Sequence, residues 1–267
     1  MPNDIDGVDF INHGSYGVFH INHISDALKD IIRKNLTSIC HGSSSSGSAL
    51  YSYKSTLKSF LERYDKKPDN TKKGMIGEFI SHLMMIESFE NLKISSAFFN
   101  LEEKSIKKGF DLIVYDSEDN SVWITEVKSG NLHKGKSHDE TTKELLNTAK
   151  SDLVSRLNEQ ETQYWINAIN HVRSSVKEAD DYKDTLIAIL DYNYGSKAAT
   201  GKASSKDKNV ILVSNLFEAL ETKVTINPVE SAHKEITASS LFHKVIALSV
   251  QKGTYENIVN FLRMEAN

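Results

Sequence analysis

The chain has 267 residues, 39% of them apolar and 25% charged, and its 32 Lys and Arg against 36 Asp and Glu give a formal net charge of −4. That composition excludes global disorder and supplies enough apolar material for one large domain or a core domain with decorations. The acidic balance, with a sequence pI of about 6.2, excludes a bulk positive field, so any nucleic-acid contact must rest on local basic patches. Apolar runs are short, as in Val245–Leu248, against the roughly 20 residues of a membrane span. The N-terminal MPNDIDGVDF carries neither the basic nor the apolar region of an export signal. A soluble cytoplasmic protein without membrane partners is expected. The single cysteine, Cys40, excludes an intramolecular disulfide and a multi-cysteine zinc site.

Residues 21–40 place Ile24, Leu28, Ile31, Ile32 and Leu36 at helical spacing, and 49–64 repeat the pattern with Leu50, Leu57, Phe60, Leu61 and Tyr64. Between them HGSSSSGS (41–48) reads as a flexible polar joint, and DKKPDNTKK (65–73) separates this region from the rest of the chain. These features predict a mainly helical N-terminal region over 1–70 and a second domain over 71–267, with the boundary near Asp69. Residues 73–89 then form a buried helix whose polar outlier is Glu78.

Three strand-like runs come next, at 92–99, 110–116 and 121–129, the last two joined by the turn-rich SEDN, which predicts an antiparallel meander. Ser137 to Glu140 is a capping box that opens a long helix through Leu145, Leu146, Ala149, Leu153 and Leu157. A further helix is expected over 161–178, buried strands over 185–192, 209–215 and 243–250, and a closing helix capped by Thr254. The Gly/Ser/Lys-rich stretch 193–208 is expected to be a mobile loop. This order describes an α/β or α+β core, a mixed sheet flanked by helices.

Alternation along 121–129 points Glu126 and Lys128 to one face of the sheet and Val127 to the other. Counting back from the turn sets Asp111, directly after Gly109 and Phe110, roughly opposite Glu126. Two carboxylates that close repel unless a cation lies between them, and a metal ion is the simplest such cation. Hard oxygen donors from Asp111 and Glu126, with the Val127 carbonyl, suit Mg²⁺. Glu78 could hold water or a second ion, and Lys128 could orient water or stabilise charge on a phosphate. Other Glu-x-Lys or Asp-x-Lys triplets, at 102–104, 181–183 and 221–223, lack this hairpin context.

GEFISHLMM (77–85), KGFDLIVYD (108–116) and VWITEVKSG (122–130) together resemble the core of the PD-(D/E)xK nuclease superfamily. More narrowly, KGMIGEF, Gly-Phe-Asp and Thr-Glu-Val-Lys, behind a helical N-terminal region, resemble the nuclease subunit family of the Hachiman antiphage defence system. The resemblance implies a restriction-endonuclease-like sheet and a DNA-degrading effector, dependent on Mg²⁺ or Mn²⁺ and held in check by an ATP-dependent superfamily 2 helicase. By motif position Glu78, Asp111, Glu126 and Lys128 take the catalytic places, with Glu78, Asp111, Glu126 and the Val127 carbonyl as metal ligands. One departure is Phe110, where the superfamily's proline usually precedes the first aspartate.

Phosphate contacts are expected from Lys134 and Lys136 after the motif strand, from Lys72 and Lys73, and from Lys197, Lys202, Lys206 and Lys208 of the 194–208 stretch. His82, one turn from Glu78, is expected to be a core histidine, and Cys40 an inert one. No Gly-x-x-x-x-Gly-Lys-Ser/Thr loop occurs, so ATP-driven motion would come from a partner. Two alternatives remain: a non-catalytic nuclease-like adaptor that binds a helicase or nucleic acid, and a nuclease directed at RNA.

Overall fold

The structure, a computed structural model, describes residues 5–45, 49–98 and 109–266. Among them runs one seven-stranded mixed sheet of order β1-β2-β7-β6-β5-β4-β3. Its strands are β1 (Val8–Asn12), β2 (Tyr16–Ile21), β3 (Leu92–Ile94), β4 (Leu112–Asp116), β5 (Ser121–Gly130), β6 (Asn209–Phe217) and β7 (Lys244–Lys252). The expected meander is present: β3, β4 and β5 pair antiparallel, and Asn120 makes the tight turn between the last two at φ 55°. β5, β6, β7 and β2 are mutually parallel, so β5 to β6 and β6 to β7 need helical crossovers.

Those crossovers are α4 (His138–Asn158) and α8 (Asn227–Ala238). With α5 (Gln163–Ser175) and the helical run from α6 (Lys183–Ala188) to α7 (Ser196–Ala199), they bury Leu146, Leu153, Trp165, Leu190 and Val229 against one face of the sheet. The other face is covered by α1 (Asp26–His41), α2 (Tyr53–Asp65), α3 (Asp69–Ser88) and α9 (Glu256–Ala266) through Leu36, Phe60, Phe79, Ile80 and Phe261. The α4 capping box is complete: the Glu140 N–H donates to Ser137 Oγ at 3.2 Å, and the Ser137 N–H to Glu140 Oε2 at 2.7 Å.

Several expectations need correction. Residues 1–70 carry the helices α1 and α2, and they also hold β1 and β2, which add two strands to the sheet; α1 and α2 share one apolar cluster with α3. The boundary expected near Asp69 is instead the first residue of α3. Residues 185–192 are helical, because a short apolar run does not distinguish a strand from a helix. Leu186, Leu190 and Tyr194 are buried four residues apart, and Ile189–Gly195 is a π-helical segment. The 193–208 stretch holds α7 and a 3₁₀ turn, and Asn158 and Gln160 bond to Ser205 and Ala203 within it. The closing helix takes its first bond from the Tyr255 carbonyl, so its cap falls one residue after Thr254.

The serine-rich joint is also less free than its composition implies. Ser43 Oγ donates to the Ser175 carbonyl at 3.2 Å and Ser45 is buried; residues 46–48 lie outside the described residues. Gly42, at φ 84°, lets the chain pass so close to Ser175 that a Cβ would sit 2.4 Å from its backbone.

Gly77 sets the approach of α3 to the sheet: a Cβ there would lie 1.8 Å from Ser129 Oγ and 2.9 Å from Ser129 Cβ. Gly77→Val should therefore force α3 off β5 and cost about 1–3 kcal/mol. A fall in the denaturant midpoint at unchanged slope measures it.

Candidate active site

β4 and β5 pair with Leu112 opposite Thr125, and the next residue of each chain brings Asp111 beside Glu126 and Val127. Asp111 Oδ2 accepts the Val127 N–H at 2.8 Å, so the carboxylate continues the sheet where β4 begins. N–H and C=O of one strand residue share a side, which turns the Val127 carbonyl toward Asp111 as well. The Val127 side chain joins the cluster under α3, and Glu126 and Lys128 point the other way, toward α4. The expected alternation is thus realised.

α4 then contributes two groups that lie outside the sequence motifs. Arg156 forks onto Glu126, Nη2 to Oε1 at 2.7 Å and Nη1 to Oε2 at 2.8 Å, and Nη1 also donates to the Gly109 carbonyl at 3.1 Å. One turn earlier, Asp152 pairs with Lys128 at 2.7 Å, and Lys128 Nζ donates in turn to Glu126 Oε1 at 2.8 Å. Glu126 is 1% exposed, so its charge depends on these partners. Burial and then the nearby Asp111 carboxylate push its pKa up from the ordinary range, against the pull of Arg156 and Lys128. Burial alone would lower Lys128, but Glu126 and Asp152 outweigh it and hold the ammonium above its usual value.

Glu78 is half-buried on α3, on the face of the sheet opposite Glu126 and Lys128, next to the contact of Gly77 with Ser129. The described bonds unite Asp111, Val127, Glu126 and Lys128 with Arg156 and Asp152; Glu78 approaches from the other layer. Among the described residues no three His, Cys, Asp or Glu side chains form a metal-holding group. The donor chemistry of Asp111, Glu126 and the Val127 carbonyl fits a hard divalent ion. Both Glu126 oxygens are nevertheless occupied by Arg156 and Lys128.

The expected phosphate-binding lysines divide. Lys134 and Lys202 are exposed without an ion-pair partner among the described residues, and Lys73 is half-buried on α3. Lys136 pairs with Glu144 at 3.1 Å and Lys197 with Asp207 at 2.5 Å. Lys208 is not part of any basic surface: it is 1% exposed, paired with Asp207 and 4.1 Å from the Tyr194 ring centroid. Lys72 lies 5.4 Å from the Tyr64 ring centroid. Of the other charged triplets, 102–104 lies outside the described residues, and Lys223 pairs with Asp9 at 2.9 Å at the surface. Cys40 is buried, and burial pushes its thiol pKa well up, which suppresses the thiolate.

A family model for HamA matches residues 3–264. The chain belongs to the HamA family. HamA is a component of the Hachiman antiphage defence system, which makes this HamA chain a defence protein. None of the curated proteins compared with it is similar to this HamA chain. No helix among its described residues is long and apolar enough to cross a membrane.

His82, on α3, is buried as expected of a core histidine, but its Nδ1 has no hydrogen-bond partner among the described residues. Burial pushes its pKa down to about 3, against about 6.5 in an unfolded chain. Between these values the unfolded chain binds a proton that the folded chain does not, so stability is full above pH 6.5 and falls as the pH drops toward 3. From pH 7 to pH 5 this residue should cost the fold roughly 2 kcal/mol. Denaturation at the two pH values should show His82→Gln losing less stability than the parent by about that amount.

Proposed function

We propose that this HamA chain is the nuclease effector of its defence complex, hydrolysing DNA phosphodiester bonds with Mg²⁺ or Mn²⁺ in the cytoplasm, under control of a partner ATP-dependent helicase. The observation that carries this is the convergence of Asp111, Glu126 and Lys128 at the point where β4 begins. Two carboxylates able to hold a hard divalent ion, beside an ammonium able to neutralise charge on a phosphate, suit metal-assisted phosphodiester hydrolysis.

In this reading Asp111, Glu126 and the Val127 carbonyl hold the ion, and Glu78 holds water or a second ion from the α3 side. The bound ion would polarise the scissile phosphate and lower the pKa of a water. Lys128, already on the Glu126 carboxylate, orients the attacking water or neutralises charge building on the phosphate. Asp152 keeps the Lys128 ammonium aimed along β5. Exposed Lys134, with Lys136, Lys73 and Lys202, would track the DNA backbone. The helicase belongs to the reading through the defence system alone, and it would supply the ATP chemistry for which this sequence has no P-loop.

A second reading is favoured by one specific observation. Arg156 fills the Glu126 carboxylate and no three-residue metal cluster occurs among the described residues, as suits a non-catalytic adaptor that keeps the motif for structure. The two readings part on cleavage.

The purified chain, alone and with its helicase partner and ATP, should degrade supercoiled and linear plasmid in Mg²⁺ or Mn²⁺. EDTA should abolish this, and Glu126→Gln or Lys128→Ala should reduce it by at least about 10²-fold while the fold persists by circular dichroism. Activity that survives in Glu126→Gln would remove the site assignment, and a folded complex that never cuts would establish the adaptor. An RNA substrate run in parallel reads out the sugar preference. Lys134→Ala should weaken DNA binding and reduce the slope of log affinity against log salt by about 1, measured by fluorescence anisotropy across salt concentrations.

A further inference from the structure

We propose that Arg156 is a resident counter-cation, standing where a divalent ion would sit on Glu126, and that metal binding requires its displacement. The proposal rests on the metal-dependent reading of the site and adds a residue that the sequence motifs do not contain.

Three features carry it. Arg156 engages both Glu126 oxygens, at 2.7 and 2.8 Å, and Lys128 shares Oε1 at 2.8 Å, so the carboxylate has its short-range partners already. The same guanidinium holds the Gly109 carbonyl at 3.1 Å, two residues before Asp111, and so spans the two chain segments that bring the carboxylates together. Finally, the local charges are nearly balanced without an ion. Asp111, Glu126 and Asp152 face Lys128 and Arg156, three negative groups against two positive ones.

The physical consequence is competition. A fork on a buried carboxylate is among the stronger protein ion pairs, in both geometry and charge. A hard cation on either Glu126 oxygen would lie against the guanidinium, and repulsion between the two like charges loosens that fork. Releasing Arg156 leaves the guanidinium close to the site and suited to a phosphate, the other anion it can grip with two N–H groups. Metal affinity of the resting chain is thereby kept low by a residue on α4, and anything that draws α4 away from β5 raises it.

Titration of the full-length metal-free chain with Mn²⁺, followed by isothermal calorimetry and by the loss of the free-ion electron paramagnetic resonance signal, tests the proposal without reference to cleavage. Arg156→Met keeps the alkyl stem and removes the charge. It should bind Mn²⁺ on the order of tenfold more tightly than the parent, a gain abolished by adding Glu126→Gln. Its thermal midpoint should be lower than the parent's without metal and rise further on adding Mn²⁺. If Arg156→Met fails to fold, Arg156→Lys, which keeps the charge but loses the fork, should give a smaller gain of the same sign. Mn²⁺ binding by the parent that depends on Glu126, with equal or weaker binding by the Arg156 variants, would overturn the displacement proposal and leave the metal site standing. No Glu126-dependent Mn²⁺ binding by any folded variant would overturn both.

Discussion

A carboxylate withdrawn from water inside a sheet must be held by cations, and Glu126 is held by two from different elements. Lys128 comes from its own strand and Arg156 from the helix packed above it, while Asp152 on that helix grips Lys128 in turn. The four charges alternate in sign around the contact between α4 and β5. A buried charge that loses one partner costs several kcal/mol, so α4 cannot slide or rotate on the sheet without breaking the alternation. The helix that forms the crossover to β6 is thus also the one that determines what charge the site presents. Packing and electrostatics of this region are therefore a single constraint.

Much of that constraint is legible in the sequence. Period-two alternation puts Glu126 and Lys128 on one face, and the length of the SEDN turn puts Asp111 opposite Glu126; the pairing of Leu112 with Thr125 agrees with both. Arg156 and Asp152 escape a motif search, because a charged pair four residues apart on a helix ordinarily reads as solvated surface. Their signal is nonetheless present. Leu145, Ala149, Asp152 and Arg156 succeed one another at spacings of four, three and four, so the two charges continue the apolar stripe of α4. Asp152 is exposed and Arg156 half-buried at the margin of that stripe, where they meet Lys128 and Glu126 of β5.

The elements that depart from expectation do so for separable physical reasons. The first two strands are short and precede a strongly amphipathic helix whose pattern dominates the region. Their own signal is the pair of β-branched and aromatic runs on either side of His13-Gly14-Ser15, joined across the ladder by Phe10 stacked on Phe19 at 3.8 Å. The 185–192 run is too short for its apolar period to decide, and only the extension to Tyr194 reveals the four-residue repeat that buries one side of a helix. In the 193–208 stretch, composition hides fixed partners. Lys208 looks like surface by type, yet it is buried beside Tyr194 and Asp207 because its aliphatic stem fits among aromatic rings and its ammonium keeps an acid within reach.

The location of the site is set by where the sheet changes character. β4 is antiparallel to β5 and its pairing stops at Leu112, whereas β5 continues to Gly130 alongside β6. At that step the edge of β5 loses the regular ladder, and the Asp111 carboxylate takes over by accepting the Val127 N–H. Asp111 therefore has a structural duty independent of any ion, and a negative charge is fixed beside Glu126 by backbone geometry rather than by side-chain choice. The two layers of helices also meet the strand on opposite sides here, α3 through Gly77 on Ser129 and α4 through Arg156 on Glu126. The length of β5 that β4 leaves unpaired lies at the start of β4, beyond the pairing of Leu112 with Thr125. That leaves Glu78 on the α3 side of the step and the Glu126 cluster on the α4 side, with the Asp111 carboxylate fixed at the start of β4 in the plane of the sheet.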